Sequence, residues 1–330
     1  MARLKPCPTD NATDNETDNA TGNAIDIKQP FNTMQTTHYT LKLSNGHGWH
    51  IIAGKQAAPW VNRLATIMEL KRSELNGYPK LIFLDKDEDV GEALFTGLNM
   101  TDMPGSGWRL HDLKWLHFYS HDDVPDKICR FGNADTHGLD IVRMWQALHP
   151  IYERALGDGG LPFHAGLAAW NGKGVLFAAA GGTGKSTCCR RLPPPWKALG
   201  DDETLVVKDT HGTYAAHPFP TWSEYLFQRS EKTWDVEQHV PLSALFFLEQ
   251  AERDEVLRIG TGQASVSITE SSTQICRRDW RYLDKKEEVR RKTMLFDNAC
   301  TLAKEVPSYI LRVSLTGEFW KLIEEVVASH

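Results

Sequence analysis

Residues 174–192 read GVLFAAAGGTGKSTCCRRL, and this stretch sets the fold class. Val175–Ala179 is a short apolar run of strand type, glycines at 181, 182 and 184 make a turn, and Lys185-Ser186-Thr187 opens a helix. Strand, glycine-rich turn and helix in that order are the context in which a phosphate-binding loop works. Gly182 and Gly184 let successive backbone N–H groups converge on a phosphate as a nest. The start of the helix adds partial positive charge. Gly181, Gly182, Thr183, Gly184, Lys185, Ser186 and Thr187 are therefore the expected triphosphate contacts. Lys185 is expected to reach the β- and γ-phosphate oxygens and Ser186 to ligate Mg²⁺. The loop consensus asks for glycine at 179, where this chain has Ala179; alanine is tolerated there if its φ is negative. A nucleoside triphosphate, ATP or GTP, is the predicted ligand.

Pro193-Pro194-Pro195 should stop the helix early, because proline lacks the N–H and disfavours helical geometry in the residue before it. Next, WKALGDDETLVV (196–207) places Asp201 and Asp202 ahead of an apolar strand, Thr204–Val207. An acidic pair at this point can hold Mg²⁺ and take a proton from a nucleophile; an exposed turn is the alternative. DTHG (209–212) reads as a hairpin turn. Upstream, LPFHAGLAAW runs as a strand to a turn at Asn171-Gly172, with His164 lying 21 residues before Lys185. Downstream, residues 242–260 read as two strands. A helical stretch to about 304, the strand SYILRVSL and the helix GEFWKLIEEVV complete the chain.

The N-terminal part differs in texture. Residues 9–24 repeat TDNA, TDNE, TDNA, TGNA without one large apolar side chain. Such a segment cannot offset its ordering entropy by burial and is expected to be disordered. Its three Asn-x-Thr triplets, at Asn11, Asn15 and Asn19, are read as by-products of the repeat. Order is expected from Thr37, with two strands around an Asn45-Gly46 turn. PWVNRLATIMELKR carries helical spacing at Trp60, Leu64, Ile67 and Met68. PKLIFLDKD (79–87) is a buried strand, GWRLHDLKWLHFYSH (107–121) two more, and IVRMWQALHPIYERAL (141–156) an amphipathic helix that Pro150 should break or kink. The expected division is a tail over 1–36, an α+β lobe over 37–158 and a nucleotide-binding domain over 159–330. Most of the 11 tryptophans are expected in the core. The pairs His47/His50 and His117/His121 have spacings a metal could use. On strands and turns such spacings do not ensure a shared face, and 13 histidines produce them by chance.

Composition narrows the function classes. Of 330 residues, 41% are hydrophobic and 24% charged, enough apolar material for a full core. The net charge of −6 argues against a nucleic-acid or anionic-lipid coat. The basic residues of 277–292 are interleaved with Asp284, Glu287 and Glu288 and are expected to form a solvated helix face. No apolar run approaches a membrane span, and MARLKPCPTD lacks the apolar stretch of a secretion signal. Six cysteines show no CxxC pair and read as reduced thiols in a cytoplasmic protein.

His-x-Gly, strand–turn–strand, the glycine-rich loop and the Asp-Asp pair together resemble the HPr kinase/phosphorylase superfamily over about residues 160–328. That P-loop group is related in fold to the ATP-type phosphoenolpyruvate carboxykinases. The resemblance implies an α/β fold with a P-loop kinase core, a mixed sheet with flanking helices, preceded here by a smaller α+β lobe. It implies catalytic roles for Asp202 as general base, His164 near the transferred phosphate and Lys185 on the triphosphate. Asp201 and Ser186 would support Mg²⁺, with Glu224 in TWSEYLF as the available further metal acid. The arginine- and glycine-rich loop used by the superfamily for dephosphorylation has no counterpart. More narrowly, the hairpin Tyr39-x-Leu41-x-Leu43…Gly46-x-x-Trp49 is similar to the SynChlorMet cassette ScmC group, which sits beside radical SAM enzymes and a small precursor peptide. The expected activity is Mg²⁺-ATP-dependent phosphorylation of a Ser or Thr hydroxyl on a peptide or small protein. A small-molecule kinase and a non-catalytic nucleotide-binding module that presents a peptide are the alternatives.

Overall fold

The described residues fold into a mixed α/β structure whose two sheets are both mixed and are flanked by helices. The structure is a computed structural model that describes residues 37–73, 77–88, 107–132, 139–227 and 231–329. The 9–24 repeat lies outside the described residues.

Seven strands form the first sheet. They are β1 (Thr37–Lys42), β2 (Gly48–Ala53), β3 (Lys71–Arg72), β4 (Lys80–Leu84), β5 (Trp108–Asp112), β6 (Leu116–His121) and β7 (Val124–Phe131). Their order is β3-β1-β2-β4-β7-β6-β5, with β4 parallel to both its neighbours. The β1–β2 turn forms as expected, with Gly46 at φ +79 and its N–H donating to the Leu43 carbonyl. Helix α1 (Ala58–Ile67) buries Trp60, Val61, Leu64 and Ile67 on one face, and the Trp60 ring lies 5.3 Å from Phe83 and 5.0 Å from Phe131. Pro150 splits the next helical run into α2 (Leu139–Gln146) and α3 (His149–Gly157). It sits in the first turn of α3, where a missing N–H leaves no intrahelical bond unmade.

The second sheet contains β8 (Leu161–Trp170), β9 (Lys173–Ala178), β10 (Lys197–Gly200), β11 (Glu203–Lys208), β12 (Tyr214–Phe219), β13 (Val240–Gln250), β14 (Glu255–Arg258) and β15 (Ser308–Val313). Strands β10 and β11 both run antiparallel to β8 in nearly continuous register, interrupted at Asp201-Asp202. The hairpin partner β9 pairs with β8 only from Ala165 onward, and it also lies parallel to β13. The two strands expected over 242–260 are present, yet they do not pair: β15 lies between β13 and β14.

Helices α4 (Lys185–Arg191), α5 (Trp222–Leu226), α6 (Thr261–Trp280), α7 (Lys285–Glu305) and α8 (Phe319–Ala328) complete the chain. The expected helical stretch to 304 is two helices, with the Asp284 side chain capping α7 by accepting from the Glu287 N–H. The described residues all belong to one compact unit. One apolar cluster takes Leu41, Trp49 and Ile51 from the first sheet together with Leu205, Val207 and Phe219 from the second. Trp49, Trp60, Trp196, Trp222, Trp234 and Trp280 are buried, as the core reading of the tryptophans expects.

Candidate functional site

The split in β8 brings the sequence motifs together. His164 stands opposite Glu203, the residue after Asp202. Its neighbour Ala165 stands opposite Ala178, where β9 ends and the glycine-rich loop begins. The end of β9, the interruption at Asp201-Asp202 and His164 therefore converge at one level of the sheet. Gly166 permits this approach, since a Cβ there would lie 2.7 Å from Cys189 Sγ on α4 and 3.4 Å from the Asp201 Cα. The glycine of the His-x-Gly motif is thus a packing requirement.

The loop adopts the backbone its glycines allow. Gly182 has φ +80 and Gly184 φ +111, and Ala179 is not among the residues of positive φ. Added Cβ atoms at Gly181, Gly182 and Gly184 would meet nothing within 4 Å, so the loop borders open space. Lys185 is buried at the base of the loop, and its Nζ donates to the carbonyls of Ala179 (3.0 Å) and Ala180 (3.5 Å). Burial lowers its pKa from the usual lysine value, an effect that the charges of Asp202 and Asp201 partly oppose. Ser186 is half-buried and Thr187 exposed in the first turn of α4.

Asp202 Oδ1 lies 2.9 Å from His164 Nε2. The two side chains are 23% and 14% exposed, enough for a small group to reach the pair. Burial alone would raise the Asp202 pKa. The hydrogen bond from His164 and the positive charges of His164, Lys185 and Arg278 outweigh it, holding the carboxyl below its ordinary value. Asp201 accepts a 2.6 Å hydrogen bond from Thr221 Oγ1. Lys185, Asp201, Asp202 and His164 are thus one electrostatic group. Glu224 lies three residues beyond Thr221 in the first turn of α5, and its described contact is the Glu224 N–H to the Thr221 carbonyl.

Several residues the sequence did not single out complete this group. Gln274 Oε1 lies 2.5 Å from His164 Nδ1, and Ser271 Oγ donates to the His164 carbonyl at 3.3 Å. Glu203 is buried and accepts from Tyr152 Oη and Arg278 Nη1, each at 2.9 Å. Its carboxyl is pushed up to about 7, by burial first and then by the charge of Asp202, against the pull of Arg278. The adjacency of Glu203 to Asp202 was a signal in the sequence; Gln274 offered none.

The basic stretch behaves differently from the solvated face expected. Lys285, Arg290 and Lys292 pair with Glu287 and Glu288 on the surface. Arg278 instead turns inward over the Trp145 ring, 3.3 Å from its centroid, and Arg291 is buried against Glu153 and Glu287. Packing against α2 and α3 is the reason for the difference. Of the two histidine pairs, His47 bonds Asp158, while His117 faces Asp112 and His121 faces Asp123. Among the described residues, no three His, Cys, Asp or Glu side chains form a group that could hold a metal ion by themselves. Also among them, no helix is long and apolar enough to cross a membrane.

A family model described as SynChlorMet cassette protein ScmC matches residues 127–328, well over half of the chain. The matched stretch holds the loop, both aspartates, His164 and Gln274. No curated protein matches the chain.

Proposed function

The chain belongs to the SynChlorMet cassette protein ScmC family, and from that premise we propose that it is a Mg²⁺-ATP-dependent kinase acting on a Ser or Thr hydroxyl of a precursor peptide. The observation that carries this reading is the Asp202–His164 hydrogen bond, set beside Lys185 where β9 opens into the glycine-rich loop. A module that only held nucleotide would have no use for a carboxylate–imidazole pair at that point. Radical SAM maturation enzymes acting on the same peptide are the proposed partners.

The residues present fit a triphosphate and its metal. The cradle at Gly181, Gly182 and Gly184 has room for phosphate oxygens. Mg²⁺ is commonly held by one or two carboxylates plus phosphates and water, so Ser186 and Asp201 suffice on the protein side, with Glu224 as a candidate further acid. When bound, Mg²⁺ would supply counter-charge to the phosphate oxygens. Lys185 would exchange the Ala179 and Ala180 carbonyls for β- and γ-phosphate oxygens. Asp202 would accept the proton of the acceptor hydroxyl as that oxygen takes the γ-phosphoryl group and ADP leaves. His164 would stabilise the charge developing beside it. A carboxylate held low in pKa stays ionised at neutral pH. Its weak basicity suits a transition state in which positioning and charge neutralisation dominate.

The test is Mg²⁺-ATP binding and turnover for wild type, Lys185→Ala and Asp202→Asn, with candidate precursor peptides and mass spectrometry of each component. Binding that needs Lys185 and a phosphoryl mass gain that needs Asp202 is the expected result. Binding without transfer to any peptide would instead indicate a nucleotide-binding module.

A further inference from the structure

We infer that Gln274 is the positioning residue that fixes the His164 ring with Nε2 toward Asp202. The inference rests on the kinase reading for its consequence, but its structural content is independent of it. Gln274 Oε1 and His164 Nδ1 are 2.5 Å apart. An amide oxygen only accepts, so Nδ1 is the nitrogen that carries hydrogen on this side, and Nε2 is left facing Asp202. A ring turned over about its Cβ–Cγ bond would set a carbon against Gln274 and another against Asp202, losing both bonds at once.

The same helix holds the rest of the histidine. Ser271, three residues before Gln274 on α6, donates to the His164 carbonyl. Arg278, four residues after it, grips Glu203, which stands opposite His164 across the β8–β11 pairing. Positions 271, 274 and 278 fall on one face of a helix. That face therefore touches the main chain of His164, its ring and the strand that begins directly after Asp202. Of these three helix positions, Gln274 is the one whose contact is with the ring itself.

The consequence is specific. The imidazole edge presented to Asp202 and to the reacting group is fixed before substrate arrives. Loss of Gln274 is expected to lower turnover about ten- to a hundred-fold, as expected when a reacting group is misplaced slightly, with ATP affinity and the KM for ATP unchanged.

The experiment uses the full chain with ¹⁵N-labelled histidine, and long-range ¹⁵N–¹H correlation spectra of His164 identified by its loss in His164→Asn. Wild type is expected to show hydrogen on Nδ1. Gln274→Glu, which keeps the acceptor, should retain that pattern and most of the turnover, whereas Gln274→Leu should lose both. Wild-type Nδ1 without hydrogen overturns the inference, and this needs no variant to fold. His164 signals unchanged in Gln274→Leu overturn it as well. If the spectra change as expected but no protein transfers phosphate, the positioning role stands and the kinase reading fails.

Discussion

Asp202 Oδ1 lies within 2.9 Å of His164 Nε2 although 38 residues of chain separate the two. The contact exists because β11 starts opposite His164, which leaves the residue just before β11 beside the imidazole. Asp202→Asn keeps the size of the side chain and removes its capacity to take a proton. Phosphoryl transfer should fall about 10²–10⁴-fold, the usual worth of a positioned acid–base group, while ATP binding stays close to wild type. Steady-state transfer and equilibrium binding on the same preparation check this; a fully active Asn variant would sink the assignment of Asp202.

Ala179 and Gly184 occupy opposite ends of the loop motif and should respond oppositely to exchange. Ala179 is not in the positive-φ region, so Ala179→Gly should only loosen the unfolded chain, costing about 0.4–1 kcal/mol, and should not improve nucleotide affinity. Gly184 has φ +111 with open space around it. Gly184→Ala should therefore cost about 1–3 kcal/mol through backbone strain alone. Denaturant titrations of both variants, with nucleotide affinities beside them, test the pair. Tighter binding by the Ala179→Gly protein would show that alanine impairs the loop.

Glu203 couples stability to pH through its burial. Its folded value, about 7, stands above the ordinary 4.5, so the folded state holds the proton more tightly than the unfolded chain. The associated stabilisation is full below about 4.5 and is lost as the pH rises through about 7. At about 1.4 kcal/mol per unit, the swing is on the order of 3 kcal/mol. Glu203→Gln should flatten the fall in stability across that window. Unfolding midpoints measured on either side of it provide the check, and an unchanged slope in the variant would refute the role of Glu203.

His217 acts in the reverse direction. Its Nδ1 donates to the Val236 carbonyl at 2.9 Å, and its Nε2 accepts from the Ser44 N–H at 3.2 Å. That pattern requires the neutral ring, and burial holds its pKa down at about 4. Because the folded value lies below the ordinary 6.5, stability is lost as the pH falls from about 6.5 toward 4. Ser44 follows β1 and His217 lies on β12, so protonation should loosen the contact between the two sheets first. Protection of the Ser44 amide, corrected for the intrinsic exchange rate at each pH, should fall on acidification before protection in β13. Equal loss of protection across both would count against this site.

Whatever depends on a few neighbouring residues is legible in the chain alone. Glycines at 46, 182 and 184 take positive φ where the pattern required them. Pro150 starts a new helix, and the apolar periods at Trp60–Ile67 and Lys80–Leu84 become the buried faces of α1 and β4. Each of these is fixed by sterics or periodicity within one turn or one strand. Which distant segments meet is a different matter, set by packing across the whole unit. Gln274 reaches His164 across 110 residues and Arg278 reaches Glu203 across 75. Arg278 was legible only as one charge in a basic run, because the aromatic ring and carboxylate that draw it inward belong to other elements. The insertion of β15 between β13 and β14 is equally non-local: Leu311 of β15 and Val256 of β14 pack in one apolar cluster with Phe319 and Ile323 of α8. Local pattern specifies that a strand forms and which face is apolar. Partner and register follow from minimising exposed apolar surface and unpaired backbone over the whole unit, and no short stretch of sequence contains that sum.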